Sequence, residues 1–357
     1  MRADRRSRSS SVLSRALIAA LFCLVSLVAI PFAPAAGTGS VRAQAECDYP
    51  SETLQLMAPA APGGGWDTTA REIQQVLQGG IVDQTVEVFN VEGAGGTIGL
   101  AQLVNDNAGD PHTLMVMGMV MIGAIATNQS AVTLDNVTPL ASLTAEYEVI
   151  VVPADSEYQT LQDLIDDLVA DPGSVTWAGG SAGGTDHILV GLIAQAVGAD
   201  PTQINYVPYS GGGEALAAIL GGQVSAGVSG IGEWQDQIAS GELRALAISG
   251  SAASSATPAA GTPAASSPAI PTLKEQGVDV ELANWRGIVA PPEISTEQRD
   301  CIVVMLQEMH ASQGWQDALA KYGWQDYFQA GDAFAQFLPT ERDRITAILQ
   351  QLGLVAA

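Results

Sequence analysis

The chain has 357 residues and carries 38 Asp and Glu against 14 Lys and Arg, a formal charge of −24 at pH 7. This charge excludes the basic surface that nucleic-acid binding requires, and it disfavours contact with anionic membranes. The length of the chain without its first 45 residues predicts two domains.

The first 45 residues have the pattern of a secretory signal. Arginines precede an apolar run at 16–30, and an Ala-x-Ala cleavage site ends at Ala45, with a second candidate site at Ala33. The run is short for a membrane span, which needs ~20 residues, and an uncleaved anchor is the alternative. Cleavage leaves eight Lys and Arg against 37 Asp and Glu, a charge of −29. We therefore expect a periplasmic or secreted protein.

Two cysteines remain after removal of the signal, Cys47 and Cys301. In an exported chain such a pair is a disulfide candidate, and two unpaired thiols are the alternative. Glu46 stands before Cys47, where lipid attachment would need a small residue, so we expect no lipid anchor.

Short apolar segments alternate with amphipathic helical patterns through the mature chain. The predicted strands are residues 53–58, 85–89, 113–117, 148–152, 174–178, 204–207 and 286–290. Helical stripes lie between most of them, and the alternation predicts parallel α/β sheets. Residues 251–268 contain only Ala, Ser, Thr, Gly and Pro, which predicts an exposed, mobile loop. The chain then becomes helical and ends in a predicted helix over about 331–352.

Four glycine clusters each stand where a predicted helix begins, at residues 63–65, 93–96, 179–184 and 211–213. Parallel α/β sheets gather such turns at one edge, where ligands bind. Glycine lets the unpaired N–H groups of a helix N-terminus approach an anion closely. Because the mature chain has so few cations, we predict an anion held by main-chain amides. Tight turns without a ligand are the alternative.

The sequence gives little support for catalysis, a cofactor or a metal. It contains no phosphate-binding P-loop, and Ile98 occupies the last glycine position of a dinucleotide motif. The histidines lie outside hydrolase and metalloprotease motifs, and no cluster has metal-ligand spacing. We therefore predict a protein that is not an enzyme; a catalytic pair of Asp67 and Asp186 is the alternative. His187 either donates to a ligand carboxylate or packs on the first helical turn.

Three aromatic residues and one cation stand near the predicted turns. Trp66, Trp285 and Tyr209 are candidates for a pocket wall, with an ordinary core position as the alternative. Arg286 lies near a predicted domain crossing, where it could pair with a ligand, with a carboxylate that closes the domains, or in a surface ion pair.

Four stretches of the chain resemble the extracytoplasmic solute receptors of tripartite tricarboxylate transporters, the Bug family. They read APAAPGGGWDTTAREI, VEGAGGTIG, GGSAGGTDHILVGLIAQAVG and NYVPYSGGGEALAAILGGQVSAGVSG. The resemblance implies an α/β fold of the type II periplasmic-binding-protein class, with two lobes around a ligand cleft. Lobe 1 would be 46–149 with 286–357, and lobe 2 would be 150–285. A Cys47–Cys301 bridge would then join the two segments of lobe 1.

The resemblance also implies a site for a small carboxylate, held partly through ordered water. The implied ligand-binding residues are Pro62, Gly63, Gly64, Gly65, Asp67, Thr68, Gly95, Gly96, Thr97, Ser181, Ala182, Gly183, Gly184, Thr185, His187, Tyr209 and Gly211. Residues 118–128 depart from the family pattern, which casts doubt on ligand contacts from them.

The partners that the resemblance implies are the carboxylate ligand and the membrane subunits of a tripartite transporter, with the receptor itself a monomer. Two other functions stay open on sequence grounds. One is an enzyme of the same fold acting on an acidic small molecule. The other is a ligand-sensing partner of a two-component kinase.

Overall fold

Ten strands alternate with ten α-helices in the computed structural model, which describes Cys47, residues 49–250 and residues 270–356. The strands are β1 (Leu54–Ala58), β2 (Val86–Asn90), β3 (Thr113–Gly118), β4 (Thr138–Pro153), β5 (Thr176–Gly179), β6 (Asn205–Pro208), β7 (Ala226–Gly230), β8 (Leu243–Ile248), β9 (Ala283–Ala290) and β10 (Gln325–Ala330). The helices are α1 (Gly65–Gln78), α2 (Thr97–Asp106), α3 (Met119–Thr127), α4 (Leu161–Ala170), α5 (Thr185–Ala196), α6 (Gly212–Leu220), α7 (Ile231–Ser240), α8 (Thr296–Ala311), α9 (Gln313–Tyr322) and α10 (Asp332–Gln351).

Each of the seven predicted strands overlaps an observed one, and the last predicted helix coincides with α10 within a residue or two. The predicted signal segment and the predicted loop at 251–268 lie outside the described residues. None of the described helices is long and apolar enough to cross a membrane. The sequence pattern missed β7, β8 and β10, and it found only the end of β4.

The strands form one sheet in the order β2-β1-β3-β9-β4-β7-β5-β6, with β8 and β10 also paired to β4. Pairing is parallel between β1, β2 and β3 and between β5, β6 and β7. It is antiparallel wherever β4 or β9 takes part. We call β1, β2, β3, β9, β10 and the first part of β4 the β1 half. The last part of β4 with β5 to β8 is the β5 half.

Strand β4 belongs to both halves because its partners change along its length. Residues 138–147 pair with β9, whereas residues 148–153 pair with β7 and β8. Residues 149–153 read VIVVP, and residues 149–152 are fully buried. The hydrophobic effect therefore holds this part of β4 in the core. The lobe boundaries at 149 and 285 stay a prediction.

A disulfide joins Cys47, ahead of β1, to Cys301 in the second turn of α8, with Cα atoms 5.4 Å apart. This is the bond that the exported cysteine pair predicts. It closes a loop of 254 residues and fixes the start of the described chain to a helix near its end.

Candidate functional site

A cavity of about 420 Å³ opens where the turns after the parallel strands of both halves meet. From the β1 half it is lined by residues of the turns after β1 and β2, by two residues at the ends of α3 and by two residues of β9. From the β5 half it is lined by the turns after β5 and β6 and by the end of β7. Its position is the edge of the sheet at which the glycine clusters predict a ligand site.

Five helices begin at this cavity with a glycine as N-cap and without a side-chain cap. Their N-cap residues, all of which line the cavity, are Gly64, Gly96, Gly184, Gly211 and Gly230. Helices α4, α8 and α9 begin elsewhere and are capped by the hydroxyl groups of Thr160, Ser295 and Ser312. Helices α3 and α10 also follow an uncapped glycine, but neither of those glycines, Gly118 and Gly331, belongs to the lining. The first-turn N–H groups at the cavity are therefore left without an N-cap side chain, although in α6 the Glu233 carboxylate lies against Gly212.

The glycine turns place most of the predicted site residues at the cavity. Ten of them line it: Gly64, Gly65, Gly95, Gly96, Ser181, Ala182, Gly184, Thr185, Tyr209 and Gly211. Seven stand beside the lining without being part of it: Pro62, Gly63, Asp67, Thr68, Thr97, Gly183 and His187. Of the candidate wall aromatics, Trp66 lines the cavity, whereas Trp285 packs in the core against Phe334 and Phe337.

Asp67 holds the turn after β1 instead of facing the cavity. One carboxylate oxygen accepts from the Gly63 N–H and from Arg71 Nε, both at 2.8 Å. The other accepts from Asn90 Nδ2 at 3.0 Å. Burial alone would raise the pKa of Asp67, but these hydrogen bonds outweigh it and lower the pKa below its ordinary value. The carboxylate is thus ionised and fully used within the turn.

His187 has a similar part in the turn after β5. Its Nδ1 accepts from the Gly183 N–H at 3.1 Å, and its ring stacks on Tyr206 with centroids 4.2 Å apart. Burial lowers the pKa of His187 to about 4, so the ring is neutral at pH 7 and carries its proton on Nε2. Of the two sequence interpretations, the geometry fits packing on the first helical turn.

Arg286 lies in the floor of the cavity, and its partner is a protein carboxylate. It is buried on β9 and forms an ion pair with Glu146, which is buried on the neighbouring strand β4. The other Glu146 oxygen accepts from Trp324 Nε1 at 3.2 Å. Glu146 is not among the residues that the sequence motifs indicate. The signal that could have found it is a pair of acidic residues, Glu146 and Glu148, leading directly into an apolar strand.

Val120 and Asn128, in the segment 118–128 whose ligand contacts the sequence left in doubt, belong to the cavity lining. Asn128 Nδ2 donates to the Ala94 carbonyl at 3.1 Å, which ties the end of α3 to the turn after β2.

Among the described residues, no group of three or more His, Cys, Asp or Glu could hold a metal ion.

The two-half sheet and the cavity between its turns define the fold of the type II periplasmic-binding class. Solved structures of this fold superpose on the chain at low identity. The structure of the periplasmic binding protein BugD matches with a TM-score of 0.72 at 21% identity, covering 86% of this chain and 99% of its own. MatC of Rhodopseudomonas palustris with bound malate gives 0.71 at 23%, covering 84% and 100%. An R. palustris protein with adipate gives 0.74 at 22%, covering 86% and 99%. The predicted fold class is confirmed.

The chain belongs to the tripartite tricarboxylate transporter family receptors, whose family profile matches residues 69–354. It is similar to a protein of the gbd 5' region of Cupriavidus necator, 29% identical over 90% of this chain and 94% of that one. It is also similar to BugT of Bordetella pertussis, 28% identical over 88% and 94%. The family resemblance inferred from the glycine motifs is thereby confirmed.

Proposed function

We propose that this protein is an extracytoplasmic receptor that captures a small carboxylate between the two halves of its sheet. In this role it delivers the solute to the membrane subunits of a tripartite tricarboxylate-type transporter. Family membership and the cavity support the proposal, as do the malate and adipate held by two proteins of the same fold.

One observation carries the carboxylate assignment: glycine N-caps stand at the cavity even where the backbone does not require glycine. Gly64 has φ −78°, and a Cβ there would meet only the Ala61 carbonyl oxygen at an ordinary 3.5 Å. At Gly211 a Cβ would meet nothing within 4 Å. A serine or aspartate at either position would cap its helix, but its side-chain oxygen would then accept the hydrogen bonds of the first-turn N–H groups that a ligand could otherwise use. The bare amides after Gly64 suit an anion from solution, whereas after Gly211 the Glu233 carboxylate lies beside the first amide, that of Gly212.

The mechanism is closure of the two halves over the bound carboxylate. Turns from both halves contribute amides, so a ligand that contacts both favours the closed arrangement over the open one by its differential affinity. The site residues named above remain part of this proposal. So does export to the periplasm after cleavage near Ala45.

The proposed role is binding without turnover. Asp67 and Asp186, the alternative catalytic pair, each accept a main-chain N–H of their own turn, from Gly63 and Gly180. Recovery of intact ligand after prolonged incubation supports the receptor, and turnover would support an enzyme of the same fold. A sensing role would instead require complex formation with a kinase.

The test is a thermal-shift screen of the mature chain against mono-, di- and tricarboxylates, followed by calorimetry. A ligand at 100 times its Kd stabilises the folded state by about 2.7 kcal/mol, which raises the Tm by about 5 °C in a protein of this size. A panel of carboxylates without any shift, together with a shift from uncharged solutes, would contradict the proposal.

A further inference from the structure

Strand β9 supplies two polar side chains to the floor of the cavity, away from the glycine turns. Its sequence begins ANWRG, and successive side chains of a strand point to opposite faces of the sheet. Asn284 and Arg286 accordingly both line the cavity, whereas Trp285 between them packs in the core. The alternation thus places a neutral amide beside the only cation of the described lining.

Arg286 is held in place by the protein itself. Its guanidinium group lies against Gly65, the first residue of α1, so closely that a Cβ there would overlap it. It also forms the buried ion pair with Glu146, which balances its charge. Arg286 is therefore a fixed part of the floor, and the amide two residues before it has no such charged partner.

The oxygen of the Asn284 amide is used within the protein. Asn284 is only 8% exposed, and its Oδ1 accepts a hydrogen bond from Thr185 Oγ1 at 3.2 Å. Thr185 is fully buried and is the first residue of α5, so this bond joins the β1 half to the β5 half. It fixes which end of the amide faces Thr185 and leaves Nδ2, which can donate two hydrogen bonds, on the other side.

The nitrogen of the same amide has no partner. No acceptor among the described residues lies within hydrogen-bond distance of Asn284 Nδ2. The indole nitrogens of Trp177 and Trp315 also lack a partner, but they are sealed in the core, whereas Asn284 Nδ2 is open to the cavity. Buried polar groups are almost always hydrogen-bonded, so this donor needs an acceptor from the cavity.

The Asn284 amide lies at the start of helix α5. That helix follows the uncapped Gly184, so its first-turn N–H groups are donors without an N-cap side chain. The bond to Thr185 brings Asn284 to the same helix start from the opposite half. A solute oxygen held there would thus receive hydrogen bonds from the main chain of one half and from a side chain of the other.

We propose that Asn284 is a ligand-binding residue whose Nδ2 donates to a carboxylate oxygen of the solute, and that Thr185 is the positioning residue that orients it. This inference rests on the proposed function and adds to it a contact outside the glycine turns. Without the Thr185 hydroxyl the amide is free to turn, and its oxygen then repels the carboxylate that its nitrogen would bind.

Calorimetry on the mature chain with L-malate, adipate and citrate as probes tests the contact. Asn284→Leu removes the donor at similar volume and should weaken the tightest of the three at least tenfold. Urea unfolding of the ligand-free variant separates this loss from a loss of folding, and Asn284→Ala serves if the leucine variant does not fold. The matched control is Asn205→Leu, because Asn205 pairs with Thr176 outside the lining; it should keep wild-type affinity.

The role of Thr185 is tested by a double-mutant cycle. Thr185→Val should weaken binding about three- to tenfold, and Thr185→Ser, which keeps the hydroxyl, should restore it. The double variant Thr185→Val/Asn284→Leu should bind no more weakly than Asn284→Leu alone, because Thr185 acts through the amide; additive losses would overturn its positioning role. Wild-type affinity in Asn284→Leu would overturn the inference and leave the proposed function standing. If the wild type binds none of the carboxylates, both fail.

Discussion

Gly64 illustrates how a single position can serve the ligand at the expense of the helix that it begins. Asp, Asn and Ser are the strongest N-caps, and the backbone of Gly64 accepts them without strain. The other kind of glycine at the cavity is Gly95, whose φ of +61° and close approach to Ala124 leave no room for a side chain. Only a glycine of the first kind can be replaced without straining the backbone, so only there can an effect on binding be measured apart from an effect on folding.

Gly64→Asp should bind carboxylates at least tenfold more weakly while the empty protein keeps or slightly gains stability. The new side chain caps α1 and interacts favourably with its dipole, worth a few tenths of a kcal/mol. It also occupies the amides and repels an anion. Calorimetry and urea unfolding measure the two effects. Ser295→Asp places the same charge at the N-cap of α8 and should leave affinity unchanged; equal affinity in both variants would contradict the amide site.

At this scale the sequence could locate the turns but not the directions of their side chains. Glycine runs before helical stripes are local signals, so the turns of the site were predictable. Asp67 and His187 belong to those turns, yet each accepts a hydrogen bond from a main-chain N–H of its own turn, Gly63 for Asp67 and Gly183 for His187. Spacing along the chain does not encode which way a carboxylate or an imidazole rotates.

Helix α3 connects the two halves across the cavity. The Cα of Gly123 lies so close to the Gly183 carbonyl that a Cβ would overlap it. Thr127 Oγ1 approaches the Ala182 carbonyl at 3.5 Å, and Asn128 holds the turn after β2. Two turns of the site, those after β2 and β5, thus converge on one helix of nine residues and the residue that follows it.

Gly123→Val should hold the halves apart. The added side chain meets main-chain atoms of Gly183, which cannot rotate away, so the closed arrangement is penalised and ligand affinity falls at least tenfold. Small-angle scattering should show a larger radius of gyration in the presence of ligand than for the wild type. The control Ala126→Val adds bulk to the same helix and should close normally. Wild-type affinity in Gly123→Val would show that ligand binding does not depend on this contact.

At the scale of elements, the predicted strands were those with continuous apolar runs, such as β3. Strand β7 was not predicted because its sequence, AGVSG, consists mainly of small residues. Strand β10 was not predicted because polar residues occupy half of it. Both are defined by pairing partners distant in sequence, β4 in each case. Pairing with strands distant in sequence leaves no local sequence pattern from which these strands could be predicted.

The buried carboxylates give the whole molecule an unusual dependence on pH. Glu233 keeps its proton up to about pH 8 in the folded state, whereas the unfolded chain loses it near its ordinary value. The folded state therefore binds more protons, and the free energy of unfolding falls as pH rises. Below about pH 6.5 the buried, neutral His187 has the opposite effect, since its folded-state pKa is lowered.

We therefore expect the stability of the ligand-free protein to decrease between pH 6.5 and 8. Urea unfolding at intervals of half a pH unit measures the slope. Glu233→Gln should flatten it, because glutamine does not titrate, and the exposed control Glu308→Gln should not. A stability that rises through this window in the wild type would contradict the buried, protonated state of Glu233.

The Cys47–Cys301 bond acts on the whole chain because its loop spans 254 residues. The double variant Cys47→Ser/Cys301→Ser should lose about 2–5 kcal/mol of stability through the larger entropy of its unfolded state. Neither cysteine lines the cavity, so carboxylate affinity should be unchanged. Urea unfolding and calorimetry test this, with reduced wild type as the comparison. A loss of affinity would indicate that the bond also shapes the site.

One continuous strand, β4, carries Glu146 where it pairs with β9 and Glu148 where it pairs with β7 and β8. Strand β4 is therefore a hydrogen-bonded connection between the two halves, and Glu146 and Glu148 stand on either side of the point where its partners change. In the closure proposed above, binding of the solute and rotation of the two halves about β4 would be a single event. A membrane partner that contacts both halves would then distinguish the loaded receptor from the empty one by the angle between the halves.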